Sequence, residues 1–286
     1  MSQNSLRVII LTHGAGELAI KRLMDLPSVE VAGIFVETGT RARRSLSERV
    51  RRSIRYDGYP LTAWKLARKL IGRGSEVSNE AATIADTCIR LRKIAVERGI
   101  PIHFVSDYHA DASIELMRRT DADLGVVLGT NILKESVFAI PRLGSINLHQ
   151  GLAPYYRGSP TIFWELFNGE REIGLTIHFV ESKVDTGGII LQRTVPLEYD
   201  YCHGLNYEAF ISDYRQKLVV PCANLVAEAV AMLAEGPVAG TPQDTTLGKR
   251  YRLPLKREKD ELRRRLIERR RQPAAYQAAE KASGGD

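Results

Sequence analysis

Short apolar runs alternate with helical patterns along most of the chain. The first run, residues 8–11, leads through a glycine turn into a helix predicted over 17–26. Further strands are predicted at 29–36, 103–105, 124–128, 145–148, 174–180 and 189–195. Strands that alternate with helices are typical of a Rossmann-like α/β fold, a mainly parallel twisted sheet with helices on both faces.

The segment between the second and third strands is longer than a simple connection, and we expect a helical insert over 41–98. Ile84, Cys88, Leu91 and Ala95 recur at steps of four, three and four, which places them on one helix face. Other helices are predicted at 112–119, at 162–168 and at 210–234, the last with an interruption near Pro221.

Three segments are expected from this organisation: a catalytic domain over 1–200, a C-terminal helical extension over 201–247 and a basic tail over 248–286. Gly-Pro and Thr-Pro pairs between 236 and 242 mark the linker that precedes the tail. With 286 residues, 44% hydrophobic and 26% charged, the composition is that of a globular protein and excludes a disordered or coiled-coil chain.

The sequence gives several indications of the compartment. No apolar run approaches the roughly 20 residues of a membrane span, so no membrane partner is expected. The residues before the first strand lack the regions of a signal peptide. The three cysteines Cys88, Cys202 and Cys222 are widely spaced and form no Cys-x-x-Cys motif. These features favour a reducing, cytoplasmic location.

The positive charge is concentrated in two places. The formal net charge is +7, residues 249–271 hold 12 basic and 4 acidic side chains, and residues 41–55 hold seven arginines and one glutamate. Such runs bind nucleic acid in some proteins, but acidic residues interleave with the basic ones here, which favours a solvated helix. A nucleic-acid partner is therefore the weaker alternative.

A glycine turn, His13-Gly-Ala-Gly16, follows the first strand at the position where dinucleotide-binding folds hold phosphate. Ala19 stands where the third glycine of that fingerprint is usual, and Glu17 would lie close to any pyrophosphate. An ordinary turn is the better interpretation.

Candidate chemistry lies near the fifth predicted strand. Asn147 and His149 are two residues apart, so both side chains project from the same face. Active sites of open α/β sheets lie at the carboxyl ends of strands. An amide donor and an imidazole suit a reaction in which charge develops on an oxygen while a proton moves. Asn-x-His alone is common, however, and taken by itself it is better explained by a plain strand-end turn.

Four short motifs follow one another around this pair. They are Asn147-Leu-His149, Leu-Ala-Pro-Tyr-Tyr-Arg-Gly at 152–158, Gly-Leu-Thr-Ile-His at 174–178 and Asp-Thr-Gly at 185–187. In this order the motifs resemble the folate-dependent formyltransferase family. The resemblance extends over about 120–195 and is plausible for the first strand and helix. It does not cover the insert or the basic tail.

This resemblance implies that N10-formyltetrahydrofolate donates a formyl group to a primary amine, with Asn147, His149 and Asp185 as the catalytic set. Asn147 and a protonated His149 would stabilise the oxyanion, and Asp185 would orient the imidazole and relay the amine proton. The chemistry requires no metal, and no cluster with metal-ligand spacing is visible.

The resemblance also implies binding residues. Folate contacts are expected from two loops, and the residues concerned are Gly129, Asn131, Ile132, Leu133, Glu181 and Val184. The first of these loops is otherwise an ordinary βα turn. Arg157 and Gly158 are candidates for acceptor binding, although Arg157 could equally hold its own loop. His178 is interpreted as a packed strand histidine, and Gly151 stands where the family often has serine.

The acceptor stays open at this stage. A small-molecule amine, namely a nucleotide-linked amino sugar, is favoured. Methionyl-tRNA formyltransferases carry a C-terminal β-barrel that residues 236–286 are too short and too charged to build. Glycinamide-ribonucleotide enzymes normally have a phosphate loop, of which 13–17 is a poor copy. A formyltetrahydrofolate hydrolase, a non-catalytic nucleic-acid binder and a homodimeric assembly are further alternatives.

Overall fold

A seven-stranded sheet forms the centre of the protein. The computed structural model describes residues 5–39, 45–70, 76–199 and 204–271. The strands are β1 Leu6–Thr12, β2 Val29–Glu37, β3 Ile102–Val105, β4 Leu124–Leu128, β5 Ser145–His149, β6 Tyr156–Gly158, β7 Glu172–Phe179, β8 Ile189–Pro196 and β9 Lys249–Tyr251. The sheet order is β3-β2-β1-β4-β5-β7-β8, and β6 pairs with β9 separately.

The strand directions confirm the predicted mainly parallel sheet. β3, β2, β1, β4 and β5 run parallel to one another, whereas β7 is antiparallel to both β5 and β8. β1 lies in the middle and is buried on both faces, which explains its unbroken apolar run. The reversal at β7 matters for the site, because it places the end of β7 and the start of the β7–β8 connection beside the first residues of β5.

Helices cover both faces of the sheet, as predicted. They are α1 Glu17–Met24, α2 Leu46–Asp57, α3 Tyr59–Leu70, α4 Glu76–Glu97, α5 Asp111–Arg118, α6 Glu135–Phe138, α7 Phe163–Asn168, α8 Tyr207–Lys217, α9 Val219–Glu235 and α10 Lys256–Arg271. Val8 and Ile10 of β1 belong to one hydrophobic cluster with residues of α1 and α9. Ile9 and Leu11 face the other cluster, with α5 and α6.

The insert between β2 and β3 is helical, as expected, and comprises α2, α3 and α4. A capping box of Ser45 and Glu48 fixes the start of α2. On the predicted apolar face of α4, Leu91 and Ala95 are fully buried. The side chain of Ile84, on the same predicted face, lies outside the described residues.

The segment after β8 packs more closely than a helical extension with a basic tail would. Tyr214 and Val226 of α8 and α9 belong to the main hydrophobic cluster of the sheet. Residues 249–251 form β9 beside β6, and Leu262 and Leu266 of α10 are fully buried. Much of the basic run 249–271 is thus a helix, as favoured, but this helix also packs on the protein through two leucines, while 272–286 lies outside the described residues. The division into domains stays a prediction.

Within the described parts of the chain, no single helix has the length and hydropathy required to cross a membrane. The helices α8 and α9 meet both criteria only when they are counted together across the 41° bend between them. Seven of the 17 residues of α9 are buried in the protein, and the helix packs against α1, β7 and β8.

Helix α7 carries a buried acid. Glu165 is 2% exposed, and no hydrogen-bond partner contacts its Oε2 atom. Burial raises the pKa of Glu165 to about 7, although backbone N–H groups at the start of the helix oppose the shift. The folded protein therefore keeps a proton on Glu165 at pH values where the unfolded chain has lost it.

We predict that Glu165 makes the free energy of unfolding fall as the pH rises from about 4.5 to about 7, by at most about 3 kcal/mol. The unfolded state binds fewer protons in that window, so raising the pH favours it. Glu165→Gln should remove this slope, measured by urea denaturation at pH 5 and pH 8. Glu172→Gln, at an exposed position of β7, is the control. An unchanged slope in Glu165→Gln would refute the argument.

Candidate active site

Polar side chains meet at the carboxyl end of β5. Asn147 and His149 lie on the same face of this strand, as the two-residue alternation predicts. In the antiparallel pairing with β7, Asn147 stands opposite His178. Asp185 follows in the β7–β8 connection. The structure thus brings together the three predicted catalytic residues and adds a fourth polar side chain, His178.

Asn147, His178 and Asp185 form a continuous group. Asn147 Nδ2 lies 3.3 Å from His178 Nε2, and the same nitrogen of His178 lies 3.4 Å from Asp185 Oδ1. His178 Nδ1 donates a hydrogen bond of 2.7 Å to the carbonyl oxygen of Phe179, which fixes the ring. The interpretation of His178 as merely a packed strand histidine is therefore incomplete, because its ring connects two candidate catalytic side chains.

His149 lies on the other side of the carboxylate. Its Nδ1 is 3.5 Å from Asp185 Oδ2, and its Nε2 donates a hydrogen bond of 2.6 Å to the carbonyl oxygen of Tyr156. The side chain is 6% exposed. His149 is therefore positioned by the Tyr156 backbone as well as by the predicted partner Asp185.

Asp185 is the anionic centre of the site. Its Oδ2 accepts a hydrogen bond of 2.8 Å from the backbone N–H of Gly158, and its φ of +53° lies in the left-handed region that Asp tolerates better than most residues. Burial alone would raise the pKa of Asp185. The hydrogen bond from His178, the charge that His149 can carry and the Gly158 N–H together lower it to about 2.

Opposing effects act on the protonation of His149. Burial lowers the pKa of His149, and the nearby Asp185 and the Tyr156 carbonyl oxygen partly oppose this effect. Burial thus favours the neutral imidazole, and stabilisation of the oxyanion by a protonated His149 stays a prediction. A neutral ring can still donate through Nε2–H and accept a proton on Nδ1.

The two predicted folate loops line one cavity of about 140 Å³ beside this group. Its lining includes the predicted residues Asn131, Ile132, Leu133, Glu181 and Val184, together with the side chains of Asn147, His178 and Asp185. Gly129 lies in the first loop but does not line the cavity. Thus Asn147, His178 and Asp185 share one space with the two loops, whereas His149 lies outside its lining. Binding of folate by these residues stays a prediction.

A polar network behind the first loop was not identified from the sequence. The backbone N–H of Asn131 donates to His13 Nε2 at 3.1 Å, and Asn131 Nδ2 donates to the Glu37 carboxylate at 3.2 Å. His13 Nδ1 contacts the carbonyl oxygen of Glu37 at 3.0 Å. Glu37 also accepts from the N–H of the fully buried Tyr108. The ends of β1 and β2 therefore hold the loop that lines the cavity.

The common end of two parallel strands is the signal that could have revealed this network. His13 follows β1 and Glu37 ends β2, and the carboxyl ends of neighbouring parallel strands meet at one edge. The tyrosine hydroxyl of Tyr108 adds bonds to the backbone of Thr12 and Phe35. No sequence pattern indicates that last contact.

Arg157 binds its own surroundings. Its Nε donates to the carbonyl oxygen of Pro154 at 3.1 Å, and its Nη2 donates to the carbonyl oxygen of Thr245 at 3.0 Å. These contacts match the loop-holding role. The N–H of Gly158 is bonded to Asp185. Binding of the acceptor by Arg157 or Gly158 stays a prediction, and no contact of either residue supports it.

Gly151 is tightly enclosed. A Cβ atom built there would lie 2.4 Å from His149 Nε2 and 2.5 Å from the carbonyl oxygen of Tyr156. No side chain fits while these two groups remain bonded to each other. The glycine at the position where the family often has serine is thus required by the observed orientation of the imidazole.

The glycine turn after β1 is an ordinary turn, as favoured above. Gly14 and Gly16 have φ values of +108° and +84°, which glycine adopts without strain. Glu17 opens α1 and forms ion pairs with Lys21 and Arg90. Across the described ranges, no group of three or more His, Cys, Asp or Glu side chains is arranged to hold a metal ion.

The comparison with known proteins concerns the centre of the chain. Residues 82–212 match the family model described as formyl transferase, and this range contains Asn147, His149 and Asp185. This part of the chain is therefore similar to formyl transferases. The matched range includes β5, β7 and both loops that line the cavity.

Curated relatives match this chain over part of their length. A methionyl-tRNA formyltransferase of Chlorobium phaeovibrioides is 34% identical over 157 residues, which is 55% of this chain and 47% of that protein. One from Parabacteroides distasonis is also 34% identical, over 54% of this chain and 45% of that protein. The chain thus spans about half the length of the curated relatives it matches.

A solved structure supports the fold. Glycinamide ribonucleotide transformylase 1 from Symbiobacterium toebii aligns with a TM-score of 0.53 and 18% identity, over 84% of this chain and 94% of that one. At this identity the likeness concerns the α/β architecture alone.

We predict that His13→Ala increases amide hydrogen exchange at Asn131 by up to about tenfold, because the N–H of Asn131 loses its acceptor. Exchange in β1 and β4 should be unchanged. The measurement is exchange read by mass spectrometry or NMR, with His103→Ala, at the edge strand β3, as the control. Unaltered exchange at Asn131 in His13→Ala would show that His13 does not hold the loop.

We also predict that His149 titrates with a midpoint below 6.5, since burial lowers its pKa. Asp185→Asn should lower the midpoint further, because the carboxylate charge favours the imidazolium. Both midpoints are measurable from imidazole NMR signals over a pH series. A midpoint above 6.5 in the native protein would contradict the neutral assignment.

Proposed function

We propose that this protein transfers a formyl group from N10-formyltetrahydrofolate to a primary amine. The proposal depends on one observation above all: Asn147, His178 and Asp185 line the same cavity as the two loops expected to bind folate. The similarity to formyl transferases supports it independently, since the catalytic set lies inside the matched range.

The residues suit attack of an amine nitrogen on the formyl carbonyl. Attack places negative charge on the carbonyl oxygen and leaves a surplus proton on the nitrogen. The Asn147 amide can donate to the charged oxygen, and a contact of this kind typically lowers the barrier by about 2.7–4 kcal/mol. His149 keeps its Nε2–H on the carbonyl oxygen of Tyr156, which leaves Nδ1 of the neutral ring to take up a proton.

Asp185 can accept the surplus proton from the amine nitrogen and pass it on. With a pKa of about 2, its carboxylate is ionised at neutral pH and too weak a base to retain the proton. It can pass the proton to Nδ1 of His149, 3.5 Å away, and stabilise the imidazolium that forms. The proton then goes to the folate nitrogen as its bond to the formyl carbon breaks, which balances the reaction.

For the acceptor, we propose the amino group of a nucleotide-linked amino sugar. Glu17 opens α1 directly after the glycine turn and forms ion pairs there. Its negative charge disfavours an acceptor whose phosphate would bind at this turn, such as glycinamide ribonucleotide. Residues 204–271 are mostly helical, whereas a methionyl-tRNA formyltransferase is expected to carry a C-terminal β-barrel. Methionyl-tRNA is the second candidate, because the curated relatives carry that activity in their names.

The test is a formyl-transfer assay. Purified protein is mixed with N10-formyltetrahydrofolate and, separately, with nucleotide-linked 4-amino sugars, methionyl-tRNA, glycinamide ribonucleotide or no amine. We expect tetrahydrofolate release only when an amine is present, with a product heavier by one formyl group. Release without any amine would identify a hydrolase and contradict the proposal. Release with methionyl-tRNA alone would replace the amino-sugar acceptor.

We predict that His149→Ala and Asp185→Ala each lower turnover by at least about a hundredfold, because proton transfer contributes about 10²–10⁴ to such rates. Circular dichroism should show that both variants fold. His103→Ala, at the sheet edge, and Asp111→Ala, exposed on α5, are the matched controls. Full activity in either site variant would refute the assignment of that residue.

A further inference from the structure

The short strand β9 lies directly beside the loop that connects the two parts of the catalytic set. β9 pairs in parallel with β6, and the register joins Tyr156 to Lys249 and Gly158 to Tyr251. β6 itself lies between His149 and Asp185 in the chain. The basic segment after α9 is thus in contact with the active-site loop.

The residues of β6 provide the two backbone groups that hold the catalytic side chains. The Tyr156 carbonyl oxygen accepts the hydrogen bond from His149, and the Gly158 N–H donates to Asp185. A shift of β6 would therefore move one partner of the imidazole and one partner of the carboxylate together.

Side chains fasten the two strands to each other. The rings of Tyr156 and Tyr251 are stacked, with centroids 5.1 Å apart and planes 6° apart. Asn168 Nδ2 donates to both hydroxyl groups, at 2.8 and 3.0 Å. The Trp164 indole N–H donates to the carbonyl oxygen of Arg252 at 2.8 Å. These contacts connect β6, β9 and α7.

The approach of the two backbones is close. At Gly158, a Cβ atom would lie 2.5 Å from the carbonyl oxygen of Tyr251, and its φ is +85°. Arg157 adds a bond to the carbonyl oxygen of Thr245, just before β9. The loop and the segment beside it therefore fit as one unit.

Helix α10 anchors this segment. Leu262 and Leu266 are fully buried, and Arg265 donates to the carbonyl oxygen of Phe167 in α7 at 2.8 Å. Arg263 forms an ion pair with Glu208 of α8. Several arginines of the basic run thus bind acids or carbonyl groups of the protein itself.

We infer that residues 245–271, here named the C-terminal strap, hold β6 so that the Tyr156 carbonyl oxygen and the Gly158 N–H keep His149 and Asp185 in place for catalysis. Tyr251 is the positioning residue of the strap. This inference rests on the proposed function. It assigns the basic segment a role in the rate of formyl transfer, distinct from nucleic-acid binding.

The cavity lined by the folate loops contains no residue of the strap. Loosening the strap should therefore alter catalysis more than binding of the formyl donor. A residue that only stabilised the fold would show no such division between kcat and KM.

The experiment compares Tyr251→Ala, Tyr251→Phe and Tyr59→Ala in the full chain. Tyr251→Ala removes the stacked ring and should lower kcat about 10- to 100-fold, since a displacement of about 1 Å can cost that much. Its KM for N10-formyltetrahydrofolate should stay within about twofold. Tyr251→Phe keeps the ring and should retain most of the activity. Tyr59, 74% exposed on α3, is the matched control.

NMR titration of His149 provides a second readout. The hydrogen bond to the carbonyl oxygen of Tyr156 favours the imidazolium form of His149. If Tyr251→Ala breaks this hydrogen bond, the titration midpoint of His149 should fall below that of the native protein. This measurement is made well below the melting temperature and requires no acceptor. If Tyr251→Ala does not fold, Tyr251→Leu replaces it, with the same direction expected in both readouts.

The outcomes separate the two proposals. A folded Tyr251→Ala or Tyr251→Leu variant with native kcat and an unchanged His149 midpoint would overturn the proposed role of the strap. If Tyr251→Phe lowered kcat as much as Tyr251→Ala, the stacked ring could not be what holds β6. If the native protein transfers no formyl group to any amine, the proposed function fails, while the His149 titration still tests the strap.

Discussion

A carboxylate held in its charged form with little exposure to water determines the geometry of this site. Asp185 can remain ionised there only because hydrogen-bond donors surround it: a backbone N–H from Gly158 and the imidazole of His178, with the ring of His149 nearby. Each of these groups comes from a different element. The position of one charge therefore constrains β5, β6, β7 and the β7–β8 connection at once.

The sheet topology satisfies this constraint. Because β7 runs antiparallel to β5, His178 lies opposite Asn147. The β7–β8 connection, which starts beside the first residues of β5, then brings Asp185 to the rings of His149 and His178. A fully parallel sheet would place the next connection at the far side of a crossover helix. The reversal at one edge is thus the fold feature that concentrates three polar side chains within a few ångströms.

Much of this arrangement could be predicted from local pattern. Apolar runs located the seven strands of the main sheet, and two-residue alternation placed Asn147 and His149 on one face. Asp185 was identified only through resemblance to a family, because nothing local connects it with β5. The role of His178 depends on the antiparallel register, which sequence spacing does not fix.

Other parts could not be predicted, for physical reasons. A three-residue strand such as β9 has no periodicity, so the segment around Tyr251 was interpreted by its charge alone. The protonation of His149 follows from burial, which is a property of the folded chain. The network of His13, Glu37 and Asn131 depends on backbone acceptors whose positions emerge only when β1, β2 and β4 are side by side.

The enclosure of Gly151 has a consequence for how such a site can evolve. Any replacement would collide with the imidazole of His149 and with the main chain at Tyr156, so a mutation there cannot be neutral by itself. Substitutions that first re-route the neighbouring loop would have to precede it. Serine at this position of the present chain therefore depends on a compensating change elsewhere in the loop, so the effect of the substitution is set by its neighbours and not by the residue alone.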